Sequence, residues 1–131
     1  MRPFQLFSVL MLALGISFAG CAAGKKIFPL HDEVLKVHLP YDLTYLRTEE
    51  ALERIPGWEL EMTEKEKGVI VVRNINYSTW DDADKRNATF WLKRIGPRET
   101  SIQLAPESQR VLGGGDLLEQ ITHYLDNELN K

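Results

Sequence analysis

The sequence predicts an α+β fold in which a four- to five-stranded, mainly antiparallel sheet carries two amphipathic helices on one face. Short segments of alternating apolar and polar residues follow one another at even spacing, which favours an antiparallel meander. Two longer segments instead repeat their apolar residues at helical spacing. The chain has 131 residues, enough for one ordinary domain. We predict a single domain over residues 33–131 with the element order β-α-β-β-β-β-α.

The domain begins with a predicted strand and helix. Residues 33–39 alternate, with Leu35, Val37 and Leu39 on one face, which is typical of a half-buried strand. Asp42 is the expected N-cap of a helix that runs to about Ile55, before Pro56 and Gly57. One side of this helix is predicted to face the core: Thr44, Tyr45, Thr48, Ala51, Leu52 and Ile55.

Four further strands are predicted in the middle of the chain. Trp58, Leu60 and Met62 share one face of the second strand, and a charged hairpin loop follows at 64–68. The apolar run in residues 69–77 indicates an interior strand. After a polar loop at 78–86, two more strands are expected with their inward-facing residues at alternate positions: Ala88, Phe90, Leu92, Ile102 and Leu104.

A loop over 106–115 leads to the last predicted helix. Asp116 is the expected N-cap, and Glu119 three residues later resembles a capping box. The apolar residues of this helix fall on one side and are expected to pack on the sheet or the first helix: Leu117, Leu118, Ile121, Tyr124, Leu125 and Leu129.

The first twenty residues have the pattern of a secretory signal peptide. Arg2 supplies a positive charge, residues 4–19 are largely apolar, and small residues Ala19 and Gly20 precede Cys21. The ending Ala19-Gly20-Cys21 resembles the bacterial lipobox, although Phe18 stands where that pattern usually has leucine. The resemblance implies a signal peptide at 1–20, acylation of Cys21, for example with palmitate, and a lipidated tether at 21–32. It therefore implies a lipoprotein of the cell envelope.

The residues after Cys21 indicate in which membrane the protein is expected. Ala22 and Ala23 follow it, where inner-membrane retention in lipobox proteins is associated with aspartate. The resemblance implies the periplasmic face of the outer membrane rather than the inner membrane. The net charge of −3 becomes −4 once Arg2 is removed, so the acyl chains and not charge would hold the protein on the membrane. An acidic chain also argues against a nucleic-acid partner.

The predicted domain resembles the small helix-on-sheet domains of bacterial envelope lipoproteins, including BamC-like domains. The resemblance covers about residues 33–129. It rests on the element order and on the pattern Gly57-Trp58-x-Leu60 followed by Gly68-Val69-Ile70-Val71. It implies an architecture, and no functional residue carries over from it.

Catalytic and metal-binding patterns are weak in this sequence. Asp81, Asp82 and Asp84 are clustered but lack the spacing of a calcium loop. The glycines at 113–115 precede Asp116, which would repel a phosphate. No nucleophile motif is present, and Cys21 is the only cysteine, so no internal disulfide can form. We therefore expect no enzyme, no cofactor and no metal; a hydrolase-type activity around the three aspartates is the remaining catalytic alternative.

The three histidines likewise carry no metal pattern. His31, His38 and His123 lie in the tether, on a strand and on the last helix. No pair has the i,i+4 spacing of a zinc-binding helix.

The aromatic residues give the best candidate for a functional surface. Trp91 is out of phase with Phe90 and Leu92 and is predicted on the outer face of the sheet. Five residues form the predicted interaction surface: Tyr77, Trp80, Arg86, Trp91 and Lys93. Exposed tryptophan and tyrosine with nearby cations suit contact with an envelope protein partner.

Two alternatives stay open from the sequence. The outer face could be covered by the loop or by the tether, since isolated exposed aromatic residues are common. The domain could instead bind a small ligand or lipid in a groove between the sheet and the helices. The leading hypothesis is a non-enzymatic module for protein interaction or assembly in the envelope.

Overall fold

A computed structural model describes residues 29–76 and 86–131. Its elements follow the predicted order and confirm the α+β fold class. Five strands and two helices are present in these ranges: β1 (Leu35–Val37), α1 (Tyr41–Glu53), β2 (Trp58–Glu64), β3 (Val69–Asn74), β4 (Asn87–Gly96), β5 (Glu99–Leu104) and α2 (Gly114–Leu129). Two short 3-10 turns lie at Lys65–Lys67 and Pro106–Ser108.

The five strands form one antiparallel sheet in the order β1-β5-β4-β3-β2. Strands β2 to β5 form a continuous meander, and β1 pairs with the far side of β5. Strand β4 is therefore central, with Phe90 opposite both Ile70 on β3 and Leu104 on β5.

The hydrophobic core lies between one face of the sheet and the two helices. Phe90, Ile70 and Leu104 are fully buried on the sheet side. The helices bury the sides that their sequence periodicity predicts: Thr44, Tyr45, Thr48, Ala51 and Leu52 from α1, and Leu117, Leu118, Ile121 and Leu125 from α2. Leu129 is an exception, because it is the last residue of α2 and remains 44% exposed.

Both predicted N-caps are wrong. Helix α1 begins after Pro40, whose carbonyl accepts hydrogen bonds from the N–H and the hydroxyl of Thr44. Helix α2 begins after Gly113, which has a φ of 81° that favours glycine. Asp42 and Asp116 lie inside the first turns. In the first turn their negative charge interacts favourably with the helix dipole, although neither side chain forms a capping hydrogen bond.

The predicted face of Met62 is also wrong. A β-bulge lies between Leu60 and Met62, so Leu60 is opposite Val72 whereas Met62 is opposite Val71. The extra residue, Glu61, reverses the alternation, because successive strand residues point to opposite faces. Met62 consequently lies on the face without helices and is 42% exposed.

Two predicted strands are longer than the structure shows. Strand β1 covers three residues of the predicted 33–39. Strand β3 ends at Asn74, whose side-chain oxygen accepts a hydrogen bond from the N–H of Asn76 at 3.0 Å. Such an asparagine turn competes with continued strand pairing.

Candidate functional site

The sheet face opposite the helices carries the candidate site and is named the open face. The strand registers place these residues, among others, on it: Lys36, Glu59, Met62, Glu64, Val69, Val71, Arg73, Asn87, Thr89, Trp91, Lys93, Ser101 and Gln103. Both described helices pack against the other face. Within residues 29–76 and 86–131, no helix covers the open face.

Trp91 lies near the middle of the open face. It belongs to the central strand β4 and is opposite Val69 on β3 and Gln103 on β5. Its side chain is 41% exposed, whereas the neighbouring Phe90 and Leu92 are buried under the helices. The alternation of β4 thus points Trp91 outward, as its phase in the sequence predicts.

Apolar side chains continue from Trp91 toward the β2 edge. Val69 and Val71 are half-buried on β3, and Met62 lies opposite Val71 on β2. These four residues, named the apolar strip, cross three neighbouring strands. An apolar strip with a partly exposed tryptophan is the type of surface that protein partners cover.

Charged side chains border the apolar strip at both ends. Lys36 on β1 and Lys93 on β4 both lie opposite Ser101, in the row next to Trp91. Both lysines are exposed and form no ion pair with a residue that the structure describes. At the other end, Arg73 forms an ion pair with Glu59. The open face can therefore offer apolar contact together with two cations.

The predicted interaction residues are distributed unevenly. Trp91 and Lys93 are two residues apart on the same side of β4. Arg86 is half-buried just before β4, about 17 Å from Trp91 along an extended strand. Its Nε atom is buried and has no hydrogen-bond partner among the described residues.

Several residues with a predicted role lie outside the described ranges. Tyr77 and Trp80 of the predicted surface are among them, as is the aspartate cluster at 81–84. The proposed lipidation site, Cys21, also precedes the first described residue.

The predicted interaction surface did not include Lys36, Met62, Val69 and Val71, which lie on the open face near Trp91. Lys36, Val69 and Val71 have the alternation that would place them there, but only the strand register brings them beside Trp91. Met62 has no such signal, because nothing in its local sequence specifies the bulge.

The space between the sheet and the helices is filled by packed side chains. Ile70, Phe90, Ile121 and Leu125 are each at most 2% exposed and belong to one cluster. The larger concavities lie at the surface. One groove of about 570 Å³ runs beside the start of α2, where the ring of His31 sits against Gly115.

Two further surface grooves include residues from the first half of α1. One of about 670 Å³ is lined by Tyr41, Lys65, Lys93 and Arg94, with the Arg94 guanidinium 5.4 Å from the centre of the Tyr41 ring. The other, of about 540 Å³, lies beside β2 and includes Leu46 and Thr63.

The titratable groups with shifted pKa values have structural partners. Burial raises the pKa of Tyr45 to about 12, and its hydroxyl donates a hydrogen bond to the carbonyl of Val69 at 2.8 Å. Hydrogen bonding to Arg47 lowers the pKa of Glu50. These shifts reflect packing and ion pairing rather than a cluster of converging acid and base groups.

The described ranges contain neither a metal-ligand cluster nor a helix suited to crossing a membrane. No three histidine, cysteine, aspartate or glutamate residues lie close enough there to hold a metal ion together. None of the helices in the same ranges has both the length and the apolar character that a membrane crossing requires.

Comparison with known proteins adds no relative. No protein-family model matches the chain, and no curated protein sequence matches it.

Proposed function

We propose that this chain is a non-enzymatic lipoprotein of the bacterial cell envelope that binds another envelope protein through its open face. Acylation at Cys21 would anchor it, with the domain on the periplasmic side of the outer membrane. The observation that supports the binding role best is the exposed Trp91 in the middle of a sheet face that no described helix covers. Tryptophan is enriched among the residues that dominate protein interfaces.

The composition of the open face supports a protein partner. The apolar strip offers aromatic and aliphatic contact, while Lys36 and Lys93 supply charge at its border. A hydrophobic centre with a polar rim is the usual arrangement of a protein interface.

The alternative of a ligand site between sheet and helices has less support. It requires a roomy apolar cavity, and the side chains of Ile70, Phe90 and Ile121 instead fill that space at 0% exposure. Native mass spectrometry of the full chain tests this alternative, which requires a bound small molecule that survives purification.

Substitution of the tryptophan tests the proposed function. We expect Trp91→Ala to lower recovery of a crosslinked partner from membranes by about tenfold or more, the effect of losing an interface hot spot. The matched control is Leu129→Ala, which removes an equally exposed apolar side chain from the end of α2. Because Trp91 is 41% exposed and lies on the central strand, its replacement also removes packing and should lower the free energy of unfolding by about 1–3 kcal/mol, so circular dichroism must show that the variant is folded.

The proposal fails if Trp91→Ala retains every partner of the unmodified chain while remaining folded. It also fails if Leu129→Ala releases the same partners to the same extent, because the loss would then not depend on the open face.

A further inference from the structure

The outer edge of the sheet at β2 is free in the part of the chain that the structure describes. Strand β2 is the last strand of the sheet and pairs only with β3. An edge strand presents backbone N–H and C=O groups that can pair with another extended segment. This edge is separate from the open face. The edge consists of backbone groups of β2 that are unpaired within the described ranges, whereas the open face consists of side chains on the surface of the sheet.

Helix α1 forms an apolar groove along this edge. The groove has a volume of about 540 Å³, and Thr63 of β2 forms one wall. Leu43 and Leu46 of α1 line it and are 37% and 48% exposed. A strand added beside β2 would direct alternate side chains toward the helix side, where these two leucines could cover them.

Carboxylates lie in and near this apolar groove: Glu49 lines it, whereas Glu53 is on the next turn of α1 and Glu61 is on β2. Glu49 and Glu53 of α1 and Glu61 of β2 form no ion pair with a described residue. The one cation that lines the groove, Lys65, is held 3.1 Å from Asp42. Burial raises the pKa of Glu49 and the charge of Glu53 raises it further, while Thr63 and Lys65 oppose the rise. A cation placed between Glu49 and Glu53 would lower this mutual repulsion.

These charges disfavour a second copy of the chain as the occupant. Pairing β2 with another β2 would bring glutamates of the two strands together, and like charges on paired strands are destabilising. The bulge at Glu61 also disturbs the regular edge that such self-pairing needs. A segment with lysine or arginine would instead gain from the same glutamates.

We propose that the β2 edge and the groove beside α1 bind an extended segment of another protein that carries apolar and basic side chains and adds to the sheet as a sixth strand. Backbone pairing would supply affinity, the leucines would take the apolar side chains, and the glutamates would select lysine or arginine. This inference does not depend on a partner at the open face.

Three blocked ten-residue peptides test the proposal with the full chain in detergent. In the first, the Lys-Val peptide, Lys and Val take turns at every second position with Thr between them; the second has Glu in place of Lys, and the third, the Lys-Pro peptide, has Pro in place of Thr. The second reverses the charge, whereas the third keeps the charge and removes N–H groups needed for strand pairing. The measurement is hydrogen exchange of individual backbone amides, with each peptide at up to about 1 mM, a concentration that detects weak binding.

We expect only the Lys-Val peptide to slow exchange along β2. Leu46→Ser and Glu61→Lys should each weaken this binding by about three- to tenfold, since one removes an exposed apolar contact and the other reverses a charge. Both side chains are exposed, so the fold should persist. Trp91→Ala should leave the peptide affinity unchanged, which separates this proposal from the one for the open face.

Four results would overturn the proposal. The first is no slowing at β2 with any peptide, and the second is equal slowing with the Lys-Pro peptide. The third is slowing that is confined to β1 or the open face. The fourth is pairing of two chains through β2 in the absence of peptide.

Discussion

Gly68 shows how one residue controls the junction between the β2–β3 hairpin and the centre of the sheet. Its φ is 69°, and a Cβ atom there would lie 2.1 Å from the carbonyl oxygen of Leu92. The Gly68 carbonyl also accepts a hydrogen bond from the N–H of Leu92 at 2.8 Å. A side chain at this position would therefore strain the turn and push it away from β4.

Gly68→Ala is expected to lower the free energy of unfolding by about 3 kcal/mol, because left-handed backbone strain adds to a clash with backbone. Urea denaturation followed by circular dichroism measures this change. Gly96→Ala is the control, since a Cβ atom at Gly96 meets only the Cβ of Glu99 at 3.6 Å. A loss of less than 1 kcal/mol for Gly68→Ala would contradict the close approach to Leu92.

At single positions, the sequence predicts side-chain direction wherever the strand is regular. Phe90 points inward and Trp91 outward because buried and more exposed residues alternate without interruption in this part of β4. The same reasoning fails at Met62, because one inserted residue reverses the face. That bulge depends on how β2 meets β3, which is a property of two segments rather than of one.

Among the secondary-structure elements, the two helices are joined by a polar cluster at their outer surface. The carboxylate of Glu50 accepts hydrogen bonds from Arg47 at 2.7 Å and from the hydroxyl of Tyr124 at 3.1 Å. Arg54 adds a guanidinium group 5.2 Å from the centre of the Tyr124 ring. The charged form of Glu50 therefore supports the contact between α1 and α2.

The pH dependence of stability should reveal this contribution. Hydrogen bonding to Arg47 places the folded pKa of Glu50 below the unfolded value of about 4.3. Its contribution is then complete above about pH 4.3 and is lost as the pH falls through the lower folded value. We expect Glu50→Gln to be less stable than the unmodified chain at pH 7, with a difference that shrinks toward pH 3.

Thermal unfolding of both proteins between pH 7 and pH 3 measures this difference. Glu119→Gln is the control, because Glu119 lies on α2, is exposed and forms no ion pair with a described residue. A Glu50→Gln difference that is constant across this pH range would show that ionisation of Glu50 contributes nothing to the contact.

Periodicity predicts the existence and the buried sides of both helices better than it predicts their first residues. Thr44, Thr48 and Leu52 share a side of α1 because helical spacing puts them there, whatever the neighbouring elements are. The caps depend on backbone geometry at Pro40 and Gly113, and a nearby aspartate was a misleading signal in both helices. Strand ends were similarly set by local turns, as at Asn74.

For the whole molecule, the sequence predicts a sheet with one face under two helices. It does not predict which residues of different strands meet on the other face. Trp91 and Lys93 could be predicted as neighbours because they belong to one strand. Lys36 joins them only through the pairing of β1 with β5 and of β5 with β4, which links segments far apart in the chain.

The proposed membrane attachment gives a prediction that does not depend on the fold. We expect Cys21→Ser to abolish incorporation of labelled palmitate and to release the protein from the membrane fraction, because several acyl chains would supply nearly all of the membrane affinity. Labelling of intact cells followed by membrane fractionation measures both effects. Leu129→Ala is the control and should retain label and membrane attachment, whereas labelled Cys21→Ser protein would refute acylation at this residue.

Site-specific photocrosslinking in native membranes tests the central claim, that the open face binds another envelope protein. A photoreactive residue would be placed at Thr89 or at Gln103, both on the open face. Thr89 precedes Trp91 by two residues on β4, and Gln103 is opposite Trp91 on β5. A third position, Leu129, lies at the end of α2 and serves as the reference. We predict that Thr89 and Gln103 give the same crosslinked protein and that Leu129 does not. Crosslinking from Leu129 alone, or from none of the three positions, would contradict the claim.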